Sequence, residues 1–213
     1  MQLLSVQLAR STWFFDIAET NPRGKNIFLD LVPSLVEEFE FKVVPQENGD
    51  FKDGIKFTSG TFTNSRGDHL QVSLTIWSDG VGADVFSTTT DADEFLKQAC
   101  DLMPGLGYTF EPGMVRKKLF LSQIFVQCEK LLNSLSPGLK SFSRKLSEAV
   151  GGPKFDACAL EFWPDQTQAF KPTSFSFQRR SGDSFSDARY WSQAALPTDK
   201  HLDLLGELEK LLS

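Results

Sequence analysis

The sequence has few of the residues that most often carry catalysis, metal binding or cross-links. Its 213 residues include two histidines, His69 and His201, with no metal-ligand spacing between them. Cys100, Cys128 and Cys158 are odd in number and far apart, which predicts buried, free thiols in a reducing compartment rather than disulfides. No phosphate loop, dinucleotide fingerprint or nucleophile elbow occurs in the sequence. We therefore expect no zinc site, no histidine relay and no bound cofactor.

Long apolar runs and an excess of positive charge are also missing. No window approaches the roughly eighteen apolar residues that a membrane-spanning helix needs, and the N-terminus lacks the basic start of a secretory signal. The 22 Lys and Arg residues are outnumbered by 28 Asp and Glu residues, which gives a net charge of −6. This charge argues against non-specific binding to nucleic acid or anionic membranes, although a local basic patch remains compatible with it. The sequence predicts a cytoplasmic protein with no membrane partner.

Short alternating segments separated by turn signals are what the chain does contain. The segment "HLQVSLTIW" (residues 69–77) alternates strictly between apolar and polar residues and predicts a strand, and Asp79-Gly80 after it predicts a hairpin. Apolar residues at helical spacing predict helices near residues 32–39, 91–103, 115–135, 137–150 and 199–212. Together these elements predict the α+β class, with one or more antiparallel sheets and helices packed on one face.

The two halves of the chain show the same pattern of predicted elements. Each half is read as helix, strand, strand, strand, helix, and the closing helices align Phe95 with Leu204 and Leu96 with Leu205. This parallel predicts a two-fold pseudo-repeat, with a chance resemblance as the alternative. The predicted divisions are an N-terminal α+β half at 1–103, a linker at 104–114 and a C-terminal α+β half at 115–213. One compact domain that contains both halves is left open.

One segment near the C-terminus combines arginine with aromatic residues. The stretch "FQRRSGDSFSDARYWS" (residues 177–192) has the composition of protein-binding hot spots and of surfaces that stack single-stranded nucleic acid. The alternative is an ordinary strand pair whose rings face the core and whose arginines face solvent. A turn of similar composition, "NSRGD" (residues 64–68), contains an Arg-Gly-Asp triplet that suggests either an adhesion motif or a hairpin tip. The hairpin tip is favoured, because the chain has neither a secretion signal nor paired cysteines. The candidate partner-binding residues are Arg179, Arg180, Asp183, Arg189, Trp191, Arg66 and Asp68.

Two basic segments offer further binding sites of a simpler kind. Lys140 and Arg144 lie four residues apart in a predicted helix and share a face, which suits either solvent or an acidic partner. The segment "NPRGK" (residues 21–25) precedes a predicted helix, where it would either bind an anion or form a plain loop.

An acidic cluster supplies the enzymatic alternative. Asp84, Asp91 and Asp93 could hold a divalent cation in a hydrolase or nuclease-like enzyme. Acidic residues are also typical of the first turn of a helix, because they face the positive end of its dipole, and we favour that interpretation. No catalytic or metal-binding residue is therefore assigned. The leading hypothesis is a non-enzymatic binding or scaffold protein that engages another protein, and the alternatives are the metal-dependent enzyme and a nucleic-acid-binding module.

Overall fold

The structure is a computed structural model that describes residues 1–21, 24, 31–45 and 54–212. Within these residues it contains eight strands and four helices, joined by turns and short 3-10 segments. They are β1 (Gln2–Phe14), α1 (Leu31–Phe39), β2 (Ile55–Thr63), β3 (His69–Trp77), β4 (Gly80–Val85), α2 (Thr89–Asp101), β5 (Lys117–Gln127), α3 (Pro137–Val150), β6 (Ala159–Phe162), β7 (Phe175–Arg179), β8 (Arg189–Ala194) and α4 (Thr198–Leu211). The segment at 21–25, considered above as an anion site, lies largely outside the described residues.

The strands form an antiparallel sheet, as the sequence predicts. Hydrogen-bonded neighbours follow the order β2-β3-β4-β1 among the strands of the first half and β5-β8-β7-β6 among those of the second. A two-residue turn joins β3 to β4. Trp77, the last residue of β3, pairs with Gly80, the first residue of β4. The predicted α+β class is therefore confirmed. None of the helices in the described ranges has the length and apolarity that crossing a membrane requires.

The chain divides into two compact units. One is the Leu8–Leu121 unit, and the other is the Ser122–Ser213 unit, which also includes Met1–Gln7. In the Leu8–Leu121 unit, α1 and α2 close the core with phenylalanine rings that need no hydrogen-bond partner. Phe39 and Phe95 meet edge to face with ring centres 4.8 Å apart, and Phe62 lies 5.3 Å from Phe95.

The Ser122–Ser213 unit has its own core, which α4 closes over one face of its strands. Phe177 of β7 and Tyr190 of β8 stack with ring centres 4.4 Å apart at the middle of this core. The buried apolar residues around them come from β5, the following turn and α4, namely Ile124, Val126, Cys128, Leu132, Leu205, Leu208 and Leu212. α3 contributes no fully buried residue to this core.

Two expectations from the sequence are wrong. The helix expected at 115–135 is replaced by the strand β5 over much of its length, because Ile124, Val126 and Cys128 are buried at a period of two residues. The helical prediction relied on apolar residues that also fit a strand. The expectation of three buried thiols fails at Cys158, which is exposed, although Cys100 and Cys128 are buried.

The two halves have the same order of elements, which agrees with the predicted repeat but does not test it. The described chain runs strand, helix, three strands, helix in its first half, and the same order recurs in its second half. A shared order of elements is not a superposition of two structures, so the pseudo-repeat stays a prediction. The predicted boundaries at 103 and 115 likewise stay a prediction, since a compact unit is not by itself an independently folding domain.

Candidate functional site

The strands of the Ser122–Ser213 unit bury one face and leave the other partly exposed. Side chains of a strand point alternately to the two faces of its sheet. On β8, Tyr190 and Ser192 are fully buried, whereas Trp191 between them is only half-buried. Trp191 lies opposite Phe125 of β5 and opposite Gln178 of β7, so these three side chains share the second face.

Two arginines complete this face. The guanidinium group of Arg180 lies over the ring of Phe125, with its carbon 5.0 Å from the ring centre. Arg180 directly follows β7, and its backbone N–H donates to the Arg189 carbonyl at 3.0 Å, which places Arg189 beside it. We call the surface formed by Phe125, Gln178, Arg180, Arg189 and Trp191 the open face.

Asp183 lies between the two arginines of the open face. One carboxylate oxygen, Oδ2, is 3.9 Å from Arg180 Nε and 3.9 Å from Arg189 Nη1, and it makes no hydrogen bond to a described residue. Each arginine side chain is 48% exposed. These long ion pairs add little stability, because both guanidinium groups are still largely hydrated. The arginines are therefore held near each other with donors left over for another molecule.

Arg179 points away from the open face, into the core. Its side chain is 8% exposed and lies 3.5 Å from the buried carboxylate of Asp156, measured from Nη2 to Oδ2. Its Nη1 donates to the Phe185 carbonyl at 3.1 Å, and its guanidinium carbon lies 5.3 Å from the ring centre of Tyr190. The structure thus brings together Arg180, Asp183, Arg189 and Trp191 from the candidate set, and it separates Arg179 from them.

Arg66 and Asp68 lie in the Leu8–Leu121 unit, where they join a hydrogen-bonded network around Asp91. Arg66 Nη2 donates to Asp91 Oδ1 at 2.8 Å, and Arg66 Nε donates to Asp68 at 3.1 Å. Asn64 Nδ2 donates to both carboxylates. The network links the turn between β2 and β3 to the start of α2, which gives Arg66 and Asp68 a structural role.

Asp91 lies in the first turn of α2, where the capping interpretation places it. Its backbone N–H donates to Thr88 Oγ1, and Thr88 Oγ1 donates back to its carboxylate at 2.8 Å. Burial by itself would raise the pKa of Asp91. The hydrogen bonds from Thr88 and Asn64 and the charge of Arg66 outweigh burial, so the pKa is lowered and the carboxylate stays ionised.

The other two acidic residues of the suggested metal cluster have partners of their own. Asp84 makes a two-point ion pair with Arg10, at 2.5 and 2.7 Å. Asp93 accepts hydrogen bonds from Ser11 and Lys118, each at 2.8 Å. No three His, Cys, Asp or Glu side chains within the described ranges are placed to hold a metal ion.

A buried serine–histidine pair was not anticipated from the sequence. Ser192 Oγ lies 2.9 Å from His201 Nε2 in the core, and both residues are fully buried. The other ring nitrogen, Nδ1, has no hydrogen-bond partner among the described residues, so no carboxylate orients the ring. Burial lowers the pKa of His201 to about 4. A substrate could not reach this pair, and we regard it as a structural contact.

Sequence reasoning missed Phe125, which anchors the open face. It lay inside the helix expected at 115–135, where it had no defined orientation. The only local signal was the β-branched pair Ile124 and Val126 around Phe125, which favours a strand; in a strand these two residues share one face and Phe125 lies on the other.

Comparisons with known proteins add no functional assignment. A search against protein-family models found none that matches the chain, and a search of curated proteins also found no match.

Proposed function

We propose that this chain is a non-enzymatic protein that binds another protein through the open face. The observation that carries the proposal is the half-exposed Phe125–Trp191 pair, flanked by the exposed Arg180 and Arg189. Tryptophan and arginine are the residues most enriched at the energetic centres of protein interfaces, because they combine large apolar area with directional hydrogen bonds. Here Trp191 lies on a strand that is paired on both sides, which limits the entropy lost when it binds.

The charges around the open face favour a protein over a nucleic acid. Asp183 lies between the two arginines, and Glu161 of β6 accepts a hydrogen bond from Ser176 on the same side of the sheet. Two carboxylates therefore offset the two guanidinium groups. Nucleic-acid binding draws most of its affinity from phosphate neutralisation, which needs a clear local excess of positive charge. The overall charge of −6 also disfavours nucleic-acid binding.

Amide groups next to the aromatic pair suit recognition of a polypeptide. Gln123 Nε2 donates to Gln193 Oε1 at 2.7 Å beside Phe125 and Trp191. Each amide keeps further donor or acceptor capacity for the backbone or side chains of a partner. An apolar centre with a polar rim is the usual composition of a non-obligate protein interface.

The proposal includes a cytoplasmic location. The three cysteines are free, and Cys158 is exposed, which is a stable state in a reducing compartment.

A comparative capture experiment tests the proposal. The chain carrying Arg180→Ala and Trp191→Ala would be compared with the unaltered chain as bait in lysate of the organism that encodes it, with captured proteins quantified by mass spectrometry. A matched control, Phe86→Ala with Arg116→Ala, removes one exposed aromatic residue and one exposed arginine from the Leu8–Leu121 unit. We expect the open-face variant to lose at least about tenfold of a specific captured protein that the control retains.

Circular dichroism would first show that both double variants are folded. Equal capture by the folded open-face variant and the unaltered chain would refute the proposal. Binding to single-stranded DNA or RNA that weakens steeply with salt, and that Arg180→Ala with Trp191→Ala removes, would replace the protein partner with a nucleic acid.

A further inference from the structure

The Leu8–Leu121 unit contains an apolar cavity of about 350 Å³ between its helices and its sheet. Its deep walls are formed by Leu35 of α1, Leu96 and Ala99 of α2, and Leu74 and Ile76 of β3, all of them buried. These walls lie entirely within the described residues. They enclose far more space than the packing voids of a protein core, few of which exceed the size of one water molecule.

The rim of the cavity is partly accessible to solvent. It is formed by Ile17, Ala18, Leu102, Met103 and Leu106, whose side chains are half-buried or exposed, in contrast to the buried deep walls. Ile17 and Ala18 belong to the 3-10 turn that follows β1, whereas Met103 and Leu106 belong to the one that follows α2. A ligand would therefore enter between two short turns without opening the sheet.

The chemistry of the lining defines what the cavity can accept. No described residue that lines it carries a charged side chain, and its polar groups come from Thr20, Asn21, Cys100 and Tyr108. Burial raises the pKa of the Cys100 thiol to about 12, which is the effect of a low-polarity environment. Against these described walls, an ionised ligand would lose its hydration without gaining an opposite charge.

We propose that this cavity binds a small, neutral, apolar molecule with no more than one or two hydrogen-bonding groups. A core cavity of about 150 Å³ accommodates benzene, so this one has room for a fused or linked pair of aromatic rings or for an alkyl chain of medium length. It falls at the small end of the roughly 300–1,000 Å³ typical of ligand pockets. An empty apolar cavity destabilises a fold in proportion to its volume, and a ligand removes that penalty.

Fluorescence titration of the full chain with N-phenyl-1-naphthylamine, a neutral two-ring probe, tests the proposal. We expect saturable binding of one probe per chain. Because no described residue of the lining is charged, 1-decanol should displace the probe, whereas decanoate at pH 8 should be at least about tenfold less effective. No saturable binding would refute the site, and equal displacement by decanoate would refute the assignment to neutral ligands.

A substitution that fills the cavity locates the probe. Ala99→Leu adds three carbon atoms to the wall, and we expect it to weaken probe binding at least about tenfold. Ala149→Leu adds the same atoms at an exposed position of α3 and should leave binding unchanged. Unchanged binding to a folded Ala99→Leu variant would place the probe elsewhere and overturn the proposal.

Thiol labelling of the unaltered chain gives a second readout that does not depend on a variant folding. Cys100 lines the cavity, while Cys158 is exposed. Because Cys100 is buried, a maleimide labels it only when this unit opens; saturating probe should slow that labelling, as followed by peptide mass spectrometry, and should leave the labelling of Cys128, buried in the other unit, and of Cys158 unchanged. Probe binding without protection of Cys100 would contradict the proposed site.

Discussion

Acid should destabilise the chain through His201, and the size of the effect follows from the burial of this residue. The ring is fully buried, and burial lowers its pKa from about 6.5 in the unfolded chain to about 4 in the folded one. Between these two pH values the unfolded chain binds a proton that the folded chain excludes. The stabilisation is complete above pH 6.5 and is lost as the pH falls towards 4. The loss from this residue amounts to about 2 kcal/mol between pH 7 and pH 5, and about 3 kcal/mol by pH 4.

The measurement is urea unfolding of the unaltered chain and of His201→Gln at pH 7 and pH 5. Glutamine keeps an amide that can hydrogen-bond to Ser192 Oγ, but it does not titrate. The carboxylates titrate in both proteins, so the difference between the two pH dependences isolates the histidine. We expect the unaltered chain to lose about 2 kcal/mol more than His201→Gln over this interval.

His69→Gln is the matched control, because it removes the other histidine from an exposed position on β3. This variant should keep the pH dependence of the unaltered chain. An equal pH dependence in His201→Gln and the unaltered chain would show that the ring is protonated without unfolding, and would refute the assignment of a neutral, buried imidazole.

Two further predictions concern buried charges. Arg179→Ala should reduce the free energy of unfolding by about 3–5 kcal/mol, since it leaves the Asp156 carboxylate buried and uncompensated, whereas Arg180→Ala should cost less than about 1 kcal/mol. Urea unfolding of the two alanine variants measures both values, and similar losses would contradict the assignment of the two arginines to opposite faces. Asp91→Asn should cost about 1–3 kcal/mol, because it weakens the acceptor that Arg66 and neighbouring donors share in the native state. Thermal unfolding of Asp91→Asn would show this loss at pH 7. An unchanged melting temperature would show that the hydrogen bonds around Asp91 do not stabilise the fold.

The sequence predicted the strands best where alternation and turn chemistry agreed. Residues 69–77 form β3 over the whole predicted range, and the helix expected to begin after Ser136 does so at Pro137, with Ser136 as its cap. Both signals are local, since a hairpin turn or a helix cap is formed by residues close together in the chain. At these positions the local sequence therefore determines the secondary structure, with little influence from tertiary contacts.

β5 shows where a local signal fails. Its apolar residues fit a helical stripe as well as a buried strand, because a short apolar run has no distinctive period. Pairing with β8 favours the strand over the helix, and the residues of β8 lie about 70 positions later in the chain. A prediction from a stretch of about ten or fifteen residues cannot include a partner strand at such a distance. The same limit hid Phe125, and with it the centre of the open face.

Arg179 and Arg180 show why the candidate site needed the structure to be defined. They are consecutive, identical in type and equally plausible as binding residues, but β7 ends between them, and the first is 8% exposed while the second is 48% exposed. Replacing both would combine a loss of stability with a loss of binding, and weak partner capture would then have two explanations. The geometry restricts a test of binding to Arg180, Arg189 and Trp191. It also makes Arg179 an internal control for folding, since it belongs to the same segment without belonging to the same surface.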